Sequence, residues 1–142
     1  MQRAAEPRDR GQMQSSRDIL HEPVRASGPA IRTFERIADA WELRPGERQT
    51  LLGIPRSTYF KYVRDPGSAR LSPDTLERIS YIFGAYKALQ ILLPRKEAAD
   101  QWIRRPNDAP YFNGQAPLKL MLAGKVADLY LVRRYLDAKR GW

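Results

Sequence analysis

The sequence predicts an all-α protein, a helix-turn-helix bundle followed by a small helical domain. Three observations carry this expectation. Apolar residues recur at helical spacing from Ala30 onward. Pro and Gly stand where helices would start and stop, and no stretch shows the apolar–polar alternation of a half-buried strand. The 142 residues, 42% hydrophobic and 29% charged, suit one ordinary domain or two small ones sharing a core.

Residues 1–29 hold Arg, Gln, Ser, Pro and Gly with only scattered apolar side chains, Ile19, Leu20 and Val24 among them. Such a segment buries too little area to offset the entropy of ordering it, so it reads as a flexible arm. From Ala30 the pattern changes: Ile31, Phe34, Ile37, Ala38 and Trp41 make one apolar face of a first helix. Pro45 and Glu47 mark the start of a second helix, whose Leu51 and Leu52 run into the stop at Gly53. A third helix begins at Pro55-Arg56-Ser57-Thr58, continues to about Arg64, and is broken by Asp65-Pro66-Gly67. These helices make a domain over 30–70.

The second domain, 71–142, opens on Leu71-Ser72-Pro73-Asp74, where Ser72 is an N-cap and Pro73 fits the first turn. The helix it starts, 73–93, is shared between the two domains and is stopped by Pro94. A short helix over Glu97 to Ile103 follows, then a loop from Pro106 to Pro117 rich in Pro, Asn and Gly. At least one helical turn over Leu118 to Leu122 precedes Gly124, and Val126 to Ala138 is a final amphipathic helix.

Composition removes much enzyme chemistry. There is no cysteine, so there is no disulfide framework, thiolate zinc site or cysteine nucleophile. One histidine, His21, leaves no pair for a metal and no base for a serine relay. Asp100, Asp108 and Asp137 have no acid–base or metal spacing around them. No cofactor and no metal are expected. No apolar run approaches the roughly 18 residues of a spanning helix, and Met1 to Asp18 has no apolar block of a signal peptide. The expectation is a cytoplasmic binding protein with no membrane partner. The net charge is +9, of which residues 68–142 carry +6, residues 30–67 +2 and residues 1–29 +1. A basic chain suits a polyanionic partner, but the surplus lies mostly in the second half.

The second and third helices, joined by a tight turn at Gly53, match a helix-turn-helix. Its recognition helix must offer polar and basic side chains to base edges from the first turn. Arg56, Ser57 and Thr58 lie there, with Lys61 and Arg64 one and two turns on, and they are the candidate DNA contacts. Phe60 and Val63 are expected to face the core, leaving Tyr59 and Tyr62 to reach the DNA backbone or a dimer partner. The modest charge of residues 30–67 favours a homodimer that adds two half-sites.

The most specific motifs lie further on: Ala99-Asp100-Gln101-Trp102-Ile103-Arg104-Arg105-Pro106-Asn107, then Phe112-Asn113-Gly114-Gln115-Ala116-Pro117-Leu118, Met121 and Gly124. The chain ends in Leu129-Tyr130-Leu131-Val132-Arg133-Arg134-Tyr135-Leu136-Asp137-Ala138-Lys139-Arg140-Gly141. With these, residues 30–142 resemble the Xre/MbcA/ParS family of antitoxins, an Xre-type helix-turn-helix followed by a helical toxin-binding domain. The Trp-Ile-Arg-Arg-Pro-Asn step, the Phe-Asn-Gly loop and the Arg-Arg-Tyr-Leu-Asp-Ala ending look most like antitoxins paired with RES-domain toxins. The resemblance implies an antitoxin of a type II toxin–antitoxin system that neutralises its toxin and represses their shared promoter by binding operator DNA. RES toxins are similar in fold to ADP-ribosyltransferases and act on NAD, so catalysis would belong to the partner, not to this chain.

Read as chemistry, Trp102 and Ile103 pack inward, while Tyr111, Phe112 and Met121 are either core filler or anchors in a toxin groove. The basic cluster Arg133, Arg134, Lys139 and Arg140, with Gly141 and Trp142, is the other candidate toxin contact. Arg133 and Arg134 are expected to point outward from the final helix, whose inner stripe is Leu129, Val132 and Leu136. A guanidinium on such a tail can pair with a carboxylate of a nicotinamide-dinucleotide pocket and so occupy it. The competing reading is a stand-alone transcription regulator whose C-terminal half only dimerises.

Overall fold

A computed structural model describes residues 23–141. Among these described residues seven α-helices follow in order: α1 Pro23–Ala40, α2 Pro45–Leu52, α3 Arg56–Arg64, α4 Pro73–Leu92, α5 Lys96–Gln101, α6 Pro117–Met121 and α7 Val126–Lys139. Two 3₁₀ turns, Pro66–Ser68 and Trp102–Arg104, follow α3 and α5. No strand occurs among the described residues.

The local signals operate as the residues dictate. Glu47 accepts the Arg44 backbone N–H at 2.8 Å and opens α2 beside Pro45. Gly53 ends it in the left-handed conformation, φ 70°, with its N–H donating to the Gln49 and Thr50 carbonyls. Ser72 Oγ accepts from the Thr75 N–H at 3.1 Å and caps α4.

One boundary moves. Residues 23–29, read as the end of a flexible arm, are the first turns of α1, with Pro29 inside the helix. Tertiary contact overrides the local breakers here. Ala26 and Ser27 are buried, Ser27 Oγ accepts the Leu71 N–H at 2.9 Å, and Gly28 runs close to the Pro66 carbonyl. The rest of the arm, 1–22, with its Ile19 and Leu20, lies outside the described residues.

α4 is the central helix. Leu76, Ile79, Ile82, Ala85, Ala88 and Leu89 are all buried, and α1 and α7 are its principal neighbours. One apolar core runs from Ile31, Phe34 and Trp41 through α4 to Ile103, Met121 and Leu136.

Arginines bolt the two ends together. Arg104, just before the long loop, donates to the carbonyls of Trp41 (3.1 Å) and Glu42 (2.7 Å) at the end of α1. Arg78 on α4 pairs with Asp74 and reaches the Gly124 carbonyl at 3.0 Å while lying against Gly53.

Candidate functional site

The first candidate surface is α3. At about 100° per residue, Arg56, Ser57, Lys61 and Arg64 fall within an arc of about 140°, and all four are exposed. Three cations and a hydroxyl on one face can serve phosphates and base edges together. Arg56 is braced from below, its guanidinium 5.0 Å over the Phe60 ring. Thr58 falls outside the arc and is half-buried.

The inward side of α3 differs from the expectation. Tyr59 is its buried residue, whereas Phe60 and Val63 are only partly covered. The reason is a polar partner below. Tyr59 donates its hydroxyl to Glu35 Oε2 of α1 at 2.8 Å, and Arg48 of α2 donates to Glu35 Oε1 at 2.9 Å. Arg48 also reaches Asp39 at 3.0 Å and donates to the Leu43 carbonyl at 2.9 Å. Burial, together with the Glu35 carboxylate, pushes the Tyr59 phenol up to about 12. Tyr62 is half-buried, its hydroxyl 3.4 Å from the Arg70 carbonyl. Sequence periodicity alone does not separate Tyr59 from Phe60; Glu35, one helix away, does.

The second candidate surface is built by the loop between α5 and α6 and by α7. The loop is closed by reciprocal backbone bonds: Gly114 N–H to the Asn107 carbonyl, 3.0 Å, and Asn107 N–H to the Gln115 carbonyl, 3.1 Å. Asn107 Oδ1 accepts the Ala109 N–H at 2.9 Å, and Asn113 and Gly114 turn the chain at positive φ. The result presents Tyr111, 53% exposed, beside Phe112, which is buried. Phe112, Trp102 and Tyr135 form an aromatic cluster with ring centroids 5.3–6.2 Å apart, and Tyr111 meets Tyr135 edge-on at 6.0 Å. Trp102 is half-buried within it and Ile103 fully buried.

Of the open alternatives, Phe112 and Met121 are core: neither presents a side chain to a partner in this conformation. Tyr111 alone of the three is surface. The sequence reading missed Tyr135, which joins the loop to α7. Its signal was the Tyr135–Lys139 spacing of four, which sets the Lys139 ammonium 5.4 Å over the ring.

The basic cluster divides. Leu129, Val132 and Leu136 do form the inner stripe of α7. Arg133, expected to point outward, instead lies across α4: its guanidinium covers Gly84, approaches the Ser80 carbonyl at 3.5 Å and pairs with Asp137 at 3.5 Å. Gly84 leaves the space that makes this packing possible. Arg134 is exposed, donating to the Tyr130 hydroxyl at 3.0 Å. Arg140 pairs with Asp137 at 3.8 Å, Lys139 is exposed, and Gly141 is exposed at φ 89°. Trp142 lies outside the described residues.

Among the described residues no group of His, Cys, Asp or Glu is placed to hold a metal ion, and no helix is long and apolar enough to cross a membrane. The arrangement offers contact surfaces: a cationic face on α3, and a cationic aromatic face built by the α5–α6 loop and α7.

Residues 20–84 match the antitoxin Xre-like helix-turn-helix domain, and residues 88–141 the antitoxin Xre/MbcA/ParS C-terminal toxin-binding domain. The uncharacterized protein y4oB of Sinorhizobium fredii (strain NBRC 101917 / NGR234) is 48% identical over 132 residues, spanning 86% of this chain and 99% of that relative. With both parts matched in order and a fold to suit each, the chain belongs to the Xre/MbcA/ParS family of antitoxins.

Proposed function

We propose that this antitoxin neutralises a RES-type toxin, an enzyme that consumes NAD or ADP-ribosylates a protein, by covering its active site. The observation that carries the reading is the cationic aromatic face at the end of α7. Tyr111 and Tyr135 meet there under Lys139, and the chain leaves through Arg140 and a glycine at positive φ. Aromatic rings and arginines are enriched at the centres of protein interfaces. A pocket that accepts a nicotinamide dinucleotide is lined by polar and ionised groups that such a tail can pair with. Tyr111, Arg134, Lys139, Arg140, Gly141 and Trp142 are the toxin contacts in this reading, and Arg133 of α7, lying across α4, supports them from behind. In this reading the domains meet at 70/71, and α4 is shared between the two halves.

The same reading makes the chain a repressor of its own operon. The exposed arc of α3 supplies the DNA contacts, and a homodimer supplies two of them for an operator with two half-sites.

The decisive experiment truncates the chain after Ala138 and measures toxin NAD turnover, or growth rescue, against the full-length protein at matched concentration. The truncated form is expected to keep its fold and its DNA binding while losing protection, since breaking a buried charged contact costs about 2–5 kcal/mol. Full protection by the truncated protein would sink the tail's role and leave coverage by the Tyr111 loop.

A further inference from the structure

Beneath the exposed arc of α3 lies a bonded polar chain in a place where an apolar ring would fill the same volume. Tyr59 is 3% exposed, yet its hydroxyl is held by Glu35 of α1 at 2.8 Å. The other Glu35 oxygen is held by Arg48 of α2, and Arg48 is fixed in turn by Asp39 and by the Leu43 carbonyl in the α1–α2 turn. One network therefore ties α1, α2 and the turn between them to a single point on α3. From that point the contacts run outward: the Tyr59 ring meets Phe60 edge-on at 5.1 Å, and Phe60 carries the Arg56 guanidinium.

The hydroxyl is the outermost atom of a rigid side chain, so tethering it fixes the rotation of α3 about its own axis more firmly than ring packing does. That distinction matters for one kind of contact only. Attraction to phosphates tolerates a few degrees of rotation, whereas hydrogen bonds to base edges do not.

We propose that Tyr59 and Glu35 are positioning residues for sequence reading: they hold the rotational setting of α3 at which Arg56 meets base edges, and they touch no DNA themselves. This rests on the reading of α3 as the DNA-binding helix.

The test titrates two duplexes, one from immediately upstream of the chain's own coding frame and one of shuffled sequence and equal composition, over a range of salt. Wild-type protein is expected to prefer the upstream duplex. Tyr59→Phe should lower that preference roughly three- to tenfold, as loss of one hydrogen bond implies. Its affinity for the shuffled duplex and its salt slope should stay unchanged. Glu35→Gln, which keeps an oxygen for the phenol, should retain most of the preference. Undiminished preference in Tyr59→Phe would overturn the positioning role and leave DNA reading intact. Equal losses on both duplexes would overturn it too, by showing a general structural effect. Wild-type protein that binds both duplexes alike would overturn the DNA reading and this inference with it. If Tyr59→Phe melts below the assay temperature, the titrations are run on both proteins below its melting point, with the same outcomes.

Discussion

Single side chains decide where this fold begins and how it responds to pH. Ser27 sits in a segment whose composition reads as an arm, yet its Oγ receives the buried Leu71 N–H across 44 residues of chain. Ser27→Ala strands that amide in the core and should cost about 1–2 kcal/mol, read as a lower urea midpoint. A change below a few tenths would return residues 23–29 to the status of an appendage. Tyr59 gives a test of opposite character. Its phenol is held neutral up to about 12, against about 10 in an unfolded chain. Above pH 10 the unfolded state loses this proton first, so the native state binds more protons and stability falls as pH rises. The contribution is complete below pH 10 and lost through about 12. Tyr81, raised by its hydrogen bond to Glu77, acts in the same direction in any variant that keeps it. Urea midpoints followed across this window should therefore drop less steeply in Tyr59→Phe than in the wild type, while lysine titration, common to both, cancels. Parallel curves would contradict the buried Tyr59–Glu35 bond.

At the scale of elements, start and stop chemistry was legible and side-chain orientation less so. Pro45, Gly53, Ser72-Pro73 and Pro94 place α2 and α4 because each acts within one turn of itself. The start of α1 was not legible, since Gly28 and Pro29 are local breakers and the contacts that override them come from Pro66 and Leu71. The inward residue of α3 and the lie of Arg133 over Gly84 were hidden for the same reason: each is decided by a residue on another helix. Phe112 and Met121 look alike in sequence whether they anchor a partner or fill a core; only burial separates them. Gly53 illustrates an element-scale dependence that can be measured. At φ 70° a side chain costs about 1–2 kcal/mol, and a Cβ there would stand 3.0 Å from Arg78 Nε. Gly53→Ala should destabilise by about 1–3 kcal/mol once the displaced Arg78 contacts are counted. Gly46→Ala, in the first turn of α2 with nothing within 4 Å, should be neutral or slightly stabilising by thermal melting. Similar losses at both glycines would show that general helix effects, not the turn, set the cost.

On the scale of the whole molecule the question is whether two functions sit on one cooperative unit. The two surfaces lie on α3 and on α7 with its neighbouring loop; α7 packs directly on α4, whereas α3 reaches α4 through α1 and α2, and the buried residues of α4 belong to one continuous core. Arg104 ties the C-terminal half to the Trp41 and Glu42 carbonyls just after α1, and Arg78 ties the helix-turn-helix bend to Gly124. Cutting on either side of α4 would expose apolar area that neither half covers alone, at roughly 25 cal/mol per Å². Shared burial of this kind leaves no stable half-folded state, so unfolding should be a single transition. Trp41 is buried beside Tyr86 in the first half, and Trp102 stands in the aromatic cluster of the second. With Trp142 replaced by Phe, variants retaining only Trp41 or only Trp102 give a local fluorescence probe of each half. Substituting a tryptophan shifts stability by itself, so the comparison is made within each variant, between its fluorescence and its helical circular dichroism. In both variants the two signals should share one urea midpoint. A Trp102 signal that moves well before the helical signal would mean that the toxin-binding half unfolds on its own, and that α4 belongs to the helix-turn-helix rather than to both.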